Sequence, residues 1–213
     1  MNNDTPKYKA IETVHSGFRF RSRLEARWAV FFESLGIDYR YEFDGIDLED
    51  GTWYLPDFYL PKLKTWIEIK PDVPTPKERE KAIQLSIATG QEAIIFSGDI
   101  WTDVKGFSFA PLIAGIPSDR EYISNFYPDT PIHWISTTEC IGVETPQALF
   151  GVDLQRRICW SYATWTQCTV CNSFCIFSLG TSDLCTCHYE VRSLEDNTPR
   201  LIAAYKAARQ ARF

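Results

Sequence analysis

Leu24, Trp28, Phe31 and Leu35 recur at three- and four-residue spacing, which puts them on one face of a helix. Ser22 stands just before this stripe with Glu25 three residues on, the capping-box arrangement, and Gly36 supplies a stop. The spacing predicts a helix over 22–35. The period then changes. Ile37, Tyr39, Tyr41 and Phe43 alternate with Asp38, Arg40 and Glu42, which predicts a half-buried strand. Residues 44–51 read as an acidic turn and 53–60 as a second strand broken by Pro56. Proline inside a strand demands an edge, a bulge or a strand end, so Asp57 is expected where the chain bends. After a turn at 61–64, residues 65–70 read as a third strand. Side chains alternate along it, with Ile67 and Ile69 facing one way and Trp66, Glu68 and Lys70 the other.

Thr75, Pro76 and Glu78 combine an N-cap, a proline at the first helical position and a capping-box glutamate. A helix to about Thr89 is predicted, closed by Gly90, and the apolar run Ala93–Phe96 follows as a fourth strand. Strand, helix and strand in this order make a parallel, right-handed crossover. From Gly98 to about Ser161 the periodicity fades. Loops are expected there, with a hairpin at 131–140 and a boundary near 115–150. Thr198 and Pro199 open a last helix over 200–212. It carries Leu201, Ala204, Tyr205 and Ala208 on one face, and Arg200, Lys206, Arg209 and Arg212 make it basic. The first 15 residues look polar and weakly structured, with His15 in a loop beside Ser16 and Gly17. The expected fold is an α/β sandwich with a mixed sheet. The expected organisation is a core over 1–115, a connecting region over 116–158, and a cysteine-bearing module with a terminal helix over 159–213.

Composition adds little to fold class. Of 213 residues, 45% are hydrophobic and 23% charged, which is ordinary for a globular chain. Cysteine placement adds more. No segment reads as a secretion signal or as a membrane span of about 20 apolar residues, so a cytoplasmic protein without membrane contact is expected. In that compartment thiols stay reduced, and the 7 cysteines crowd toward the C-terminal end, which points to metal rather than disulfides. Cys168 and Cys171 form a C-x2-C knuckle; Cys185, Cys187 and His188 follow after thirteen intervening residues. Two such clusters suit structural, tetrahedral Zn2+. The favoured set is Cys168, Cys171, Cys185 and Cys187, with His188 as the substitute ligand. Cys140, Cys159 and Cys175 read as small buried hydrophobes.

The remaining chemistry lies on the predicted second and third strands. Ionisable groups on a strand that otherwise looks buried need a reason. Pro56 and Asp57, ten intervening residues, then Glu68, Ile69 and Lys70 form a pattern that resembles the PD-(D/E)XK, or restriction-endonuclease-like, nuclease superfamily. The order of elements over 18–100 resembles that superfamily's core as well, and Glu25 falls where its first helix usually carries an acidic residue. The resemblance implies a metal-dependent endonuclease of bacterial or phage type acting on DNA. It implies Mg2+ or Mn2+ held by Asp57 and Glu68 with the Ile69 carbonyl, and Glu25 on the metal directly or through water. Lys70 would position or help deprotonate the attacking water. Glu25 also has a purely structural reading, as the reciprocal cap of its helix. Gln84 matches a glutamine found in some branches, but it reads equally as a solvent-facing helix residue. The net charge of -6 does not advertise nucleic-acid binding. The arginines at 19–27, Lys62, Lys64 and the final helix are the candidate phosphate contacts. The alternative is a catalytically silent or partner-dependent zinc-ribbon adaptor on the same frame. A homodimer or a protein partner is compatible with both.

Overall fold

The computed structural model describes residues 10–48, 50–72, 74–100, 105–111, 135–136, 149–153, 158–178 and 194–213. The first element is a hairpin that the polar composition of the N-terminal region hides. Strands β1 (Thr13–His15) and β2 (Phe18–Phe20) pair antiparallel around Ser16 and Gly17. Both turn residues have positive φ, 47° and 83°, as a two-residue hairpin with the twist of its strands requires. His15 is therefore a strand residue, and its Nε2 meets Glu33 at 2.9 Å.

Helix α1 (Arg23–Leu35) forms as expected. Ser22 accepts the Glu25 N–H, and Gly36 closes the helix at φ 69° with its N–H on the last carbonyls. Trp28, Phe31 and Leu35 are buried, Leu24 partly so, and Phe32 and two alanines widen the stripe. The alternating segment after it is a strand only at β3 (Arg40–Tyr41). Its early end has a local cause. Glu42 adopts φ 41°, a left-handed conformation that ends extended geometry, and its N–H bonds to the Asp57 carbonyl at 2.9 Å. The expected second strand is also split. Residues Ile46–Asp47 (β4) and Trp53–Tyr54 (β5) form a separate two-stranded ribbon, while Phe58–Leu60 (β6) joins the main sheet. The Trp53 indole lies over Gly45 so closely that a Cβ there would sit 2.0 Å from the ring; only glycine fits.

Strand β7 (Thr65–Lys70), helix α2 (Pro76–Thr89) and β8 (Glu92–Ser97) make the expected parallel crossover, and Thr75 and Glu78 complete the capping box at the start of α2. The sheet then grows through strands that the fading periodicity conceals: β9 (Lys105–Pro111), β10 (Ile135–Ser136), β11 (Leu149–Asp153), β12 (Ile158–Cys168), β13 (Phe174–Ser178) and β14 (Leu194–Glu195). Its order is β10-β11-β12-β9-β8-β7-β6-β3, with β13 and β14 paired to β12, and β7–β8 is the parallel pair. The hairpin expected at 131–140 lies almost wholly outside the described residues; its described pair, Ile135–Ser136, pairs with Leu149 and Phe150.

Helix α3 (Pro199–Gln210), capped by Thr198, packs beside α1 on one face of the sheet. Phe58, Ile67, Ile69, Ile94, Phe96 and Trp165 from the sheet meet Trp28, Phe31, Phe32, Leu201 and Tyr205 there in one aromatic-rich core. On the opposite face α2 covers Trp66, Ala93 and Ile95. The alternation read from 65–70 holds, because Ile67 and Ile69 fall in the first core and Trp66 in the second. The core is shared between the 1–115 and 159–213 segments: Trp165, Ile176 and the buried face of α3 enter the cluster that α1 builds. Fully burying a side chain such as Phe31 is worth roughly 1.5–3 kcal/mol, so this shared layer is a principal attachment of the C-terminal segment. Among the described residues the fold is thus α/β, with a mixed sheet and three helices, and no helix is long and apolar enough to cross a membrane.

Candidate active site

The bend at Pro56 does what the sequence suggests. It leaves Asp57 at the entry to β6, buried (3% exposed), with its Oδ2 accepting the Ile69 N–H at 2.7 Å. The backbone N–H of Asp57 in turn points toward Glu68 Oε2 at 3.4 Å. Glu68 is buried too, and its Oε1 receives the Lys70 ammonium at 2.5 Å. Lys70 also lies 3.8 Å from Glu78, the capping glutamate of α2. Glu25 enters from the first turn of α1 and is buried as well. Its role differs from a plain reciprocal cap. Oε1 accepts from the Ser22 hydroxyl, while Oε2 accepts the Tyr41 hydroxyl at 2.6 Å and the N–H of Arg21. The carboxylate is thereby aimed at the end of the sheet, where Asp57 feels its charge.

Three further residues belong here that sequence reasoning did not place. Arg21 donates through Nη2 to Asp57 Oδ1 at 2.7 Å and through Nε to Glu42. The signal was available only as one arginine in a cluster at 19–27; the pairing depends on the left-handed bend at Glu42. Tyr41 continues the aromatic stripe of β3, yet its hydroxyl serves Glu25. Tyr54, on the small β4–β5 ribbon, sits against Glu68. Burial and the Glu68 charge push the Tyr54 hydroxyl well above the ordinary tyrosine value, so it stays protonated and donates. Gln84 turns away from the site and bonds Glu80 on its own helix at 3.0 Å.

The electrostatics divide into two halves. Burial raises the Asp57 carboxyl well above the carboxylate range, the charges of Glu68 and Glu25 raise it further, and the Ile69 N–H and Lys70 only partly offset them. For Lys70 burial acts downward, but Glu68, Asp57 and Glu78 outweigh it and raise the ammonium above its ordinary value. Lys70 is therefore held charged. A lysine in this state supplies a fixed positive charge and does not act as a base. For Arg21 burial likewise opposes the charge, and Asp57 and Glu42 override it.

The donor set fits a hard divalent cation. Oxygen ligands suit Mg2+ or Mn2+, and Asp57 shows that the cluster is short of positive charge. The side chains are nevertheless turned to protein cations: Asp57 to Arg21, Glu68 to Lys70. Among the described residues no three His, Cys, Asp or Glu side chains stand close enough together to form a ready coordination set.

A testable pH dependence follows. The folded Asp57 carboxyl titrates higher than the unfolded one, about 3.9. Its contribution to stability is thus present below about pH 4 and is lost as the pH rises through the raised folded value. Asp57→Asn removes that loss. Without added divalent metal, the melting temperature of Asp57→Asn minus that of the wild type is expected to grow as the pH rises from about 4 through the raised folded value. A difference that stays flat or shrinks would show that Asp57 is not strained by its neighbours.

The cysteine knuckle occupies the tip of the β12–β13 hairpin. The Cys168 N–H bonds to the Ser173 carbonyl, the Asn172 N–H to the Cys168 carbonyl, both at 2.9 Å, and Asn172 turns the chain at φ 62°. This wraps the backbone around sulfur: the N–H groups of Val170 and Cys171 both reach Cys168 Sγ at 3.4 Å. Cys168 is buried and Cys171 exposed. Cys175 is buried with its sulfur 3.3 Å from the Thr166 hydroxyl, in keeping with a small core residue. Cys140, Cys185, Cys187 and His188 lie outside the described residues, and for Cys159 only the backbone is described, in β12.

The chain matches no protein-family model, no curated protein and no solved structure.

Proposed function

We propose that this chain is a metal-dependent endonuclease hydrolysing DNA phosphodiester bonds, on a restriction-endonuclease-like α/β frame. The observation that carries the reading is the meeting of Asp57, Glu68, Lys70 and Glu25 at one end of the sheet, with Asp57 buried among like charges. Burying three carboxylates at one end of the sheet costs folding free energy, and the protein cations there, Arg21 and Lys70, pair with Asp57 and Glu68 and leave Glu25 to neutral donors. Asp57, Glu68 and the Ile69 carbonyl are the residues that would hold Mg2+ or Mn2+, with Glu25 as a direct or water-mediated ligand. Such a cation, when bound, lowers the pKa of water and stabilises negative charge on phosphate oxygens. In the hydrolysis the water oxygen bonds to phosphorus, the bond from phosphorus to the leaving sugar oxygen breaks, and a proton ends on that oxygen. Lys70 supplies a fixed positive charge beside the reacting group. The plasmid-nicking comparison that opens the Discussion tests this reading. The Cys168 knuckle supports a second, structural metal: Zn2+ on Cys168, Cys171, Cys185 and Cys187, or His188 in place of a cysteine. Action on DNA inside a bacterial cell or a phage-infected host, in the cytoplasm, completes the proposal.

One observation favours the alternative, a silent or partner-dependent adaptor: the Arg21 guanidinium already occupies Asp57 Oδ1. The two readings separate at that residue. The Arg21 side chain is half exposed, so solvent screens its pairing with the buried Asp57 toward the roughly 0.2–1 kcal/mol of surface pairs. Arg21→Gln is therefore expected to tighten Mn2+ binding by up to about five-fold, given that 1.4 kcal/mol is tenfold. The free Mn2+ signal in electron paramagnetic resonance titrations measures it. Absence of Mn2+ binding in both proteins would favour the adaptor.

A further inference from the structure

Four arginines meet away from the carboxylates. Arg23 and Arg27, one turn apart on α1, face the C-terminal end of α3, where Arg209 and Arg212 lie. Together with Phe213 they line an open cleft of about 880 Å3. No Asp or Glu side chain belongs to the lining. Asp99 stands nearest, with its Oδ1 3.2 Å from Arg27 Nη1. Arg23 and Arg212 are exposed, and neither forms an ion pair among the described residues. In a chain of net charge -6, four guanidinium groups concentrated in one groove form a local field opposite in sign to the whole.

The cleft lies at the same end of the sheet as the candidate active site. Lys70 and Ser97 are register partners at the ends of β7 and β8, and the Gly98 N–H bonds to the Lys70 carbonyl at 2.9 Å. The next residue is Asp99, which holds Arg27. The lip of the cleft is thus two residues beyond Ser97, at the same end of the sheet as Lys70. On α1, Glu25 lies between Arg23 and Arg27 in sequence and turns inward, while the arginines turn to the cleft.

We infer that this groove is a binding site for the phosphate backbone of duplex DNA, leading a strand from α1 and α3 toward Lys70. The inference rests on the nuclease reading for the direction of the strand. Planar guanidinium groups match phosphate oxygens through paired N–H donors, and each neutralised phosphate of B-DNA contributes about -0.9 to the slope of log affinity against log salt.

The test uses the full chain and a fluorescein-labelled duplex of about 25 base pairs, followed by anisotropy without added divalent metal across roughly 0.05–0.2 M salt, the range over which phosphate contacts show themselves. Arg23→Gln combined with Arg212→Gln keeps side-chain length at two exposed positions. The pair is expected to weaken binding by about ten-fold near 0.1 M salt and to reduce the salt slope by about 2. Arg40→Gln combined with Lys77→Gln removes the same charge from exposed positions outside the lining and is expected to change affinity less than about two-fold, as distant exposed charges are screened. Unchanged binding by the first pair, equal weakening by the second, or no binding of duplex by the wild type would overturn the inference. Plasmid nicking by Asp57→Ala, measured beside this titration, separates the two proposals. If Asp57→Ala nicks DNA like the wild type, the carboxylate site fails while a cleft result stands; if it loses nicking and the arginine pair binds normally, the cleft fails alone.

Discussion

Asp57→Ala and Lys70→Ala are each expected to lower the nicking of supercoiled plasmid, in Mg2+ or Mn2+, by at least about a hundred-fold, the usual scale for removing one group that stabilises charge in a transition state. The two lose activity for different reasons. Asp57 is bonded both to backbone, at Ile69, and to a cation, at Arg21. Its removal takes away an oxygen ligand and lets Arg21 relax toward Glu42. Lys70 is held protonated by Glu68, Asp57 and Glu78, so its removal takes away a fixed positive charge. Lys70→Ala also leaves Glu68, nearly buried, without that partner, a change that itself destabilises. Melting curves and the isosteric Asp57→Asn separate loss of chemistry from loss of fold. Asp57→Asn keeps the volume and removes the charge, so it is expected to be folded and inactive. Equal nicking by wild type and all three variants would sink the nuclease reading. No nicking by the wild type, with Mn2+ bound, would point to a required partner.

Removal of the knuckle metal should have the largest effect on stability. Purified protein is expected to carry about one zinc per chain, by mass spectrometry of the metal content, as a closed four-ligand site holds it. Cys168→Ser is expected to lose the zinc and more than about 4 kcal/mol of stability, the range reached when a metal site is destroyed. For a chain of this size that is roughly 10 °C or more in melting temperature. The magnitude follows from location. Cys168 is fully buried at the end of β12, three residues after Trp165, which packs on Phe31 and Phe32 of α1. Loosening the knuckle therefore loosens the layer through which α1, β12 and α3 hold one another. Cys175→Ala, in the same hairpin, is expected to keep the zinc, because its sulfur lies by Thr166 and not in the knuckle turn. Zinc content unaffected by Cys168→Ser, or lost equally in Cys175→Ala, would remove the ribbon from the description.

Legibility varied along the chain for physical reasons. Where a cap, an alternating or helical stripe, or a short apolar run marks a segment, neighbouring residues alone located it. The helices at 23–35, 76–89 and 199–210 and the strands at 65–70 and 92–97 all fall in this class. Their caps, Ser22, Thr75 and Thr198, are short-range hydrogen bonds that sequence spacing reports directly. The N-terminal hairpin had its signal in Ser16 and Gly17, yet three-residue strands give too few alternations to register. Strands after Gly98 were hidden because their partners are far away in sequence. β9 is held between β8 and β12, and its pairing with β12 spans some fifty residues. No local period encodes such a pairing.

The candidate site shows the same division. The sequence by itself supplied Asp57, Glu68 and Lys70, since proline geometry and strand alternation are properties of neighbouring residues, and it supplied Glu25 with two competing roles. Tertiary structure chose the partners, and Glu25 keeps its contacts with Ser22 while it faces the site. Glu25 accepts from Tyr41 and from Arg21, Asp57 receives Arg21, and Glu68 meets Tyr54, and each contact joins elements that only the packed sheet brings together. The raised Asp57 carboxyl is the clearest case: a pKa records burial and every charge nearby, and neither exists until the fold is complete.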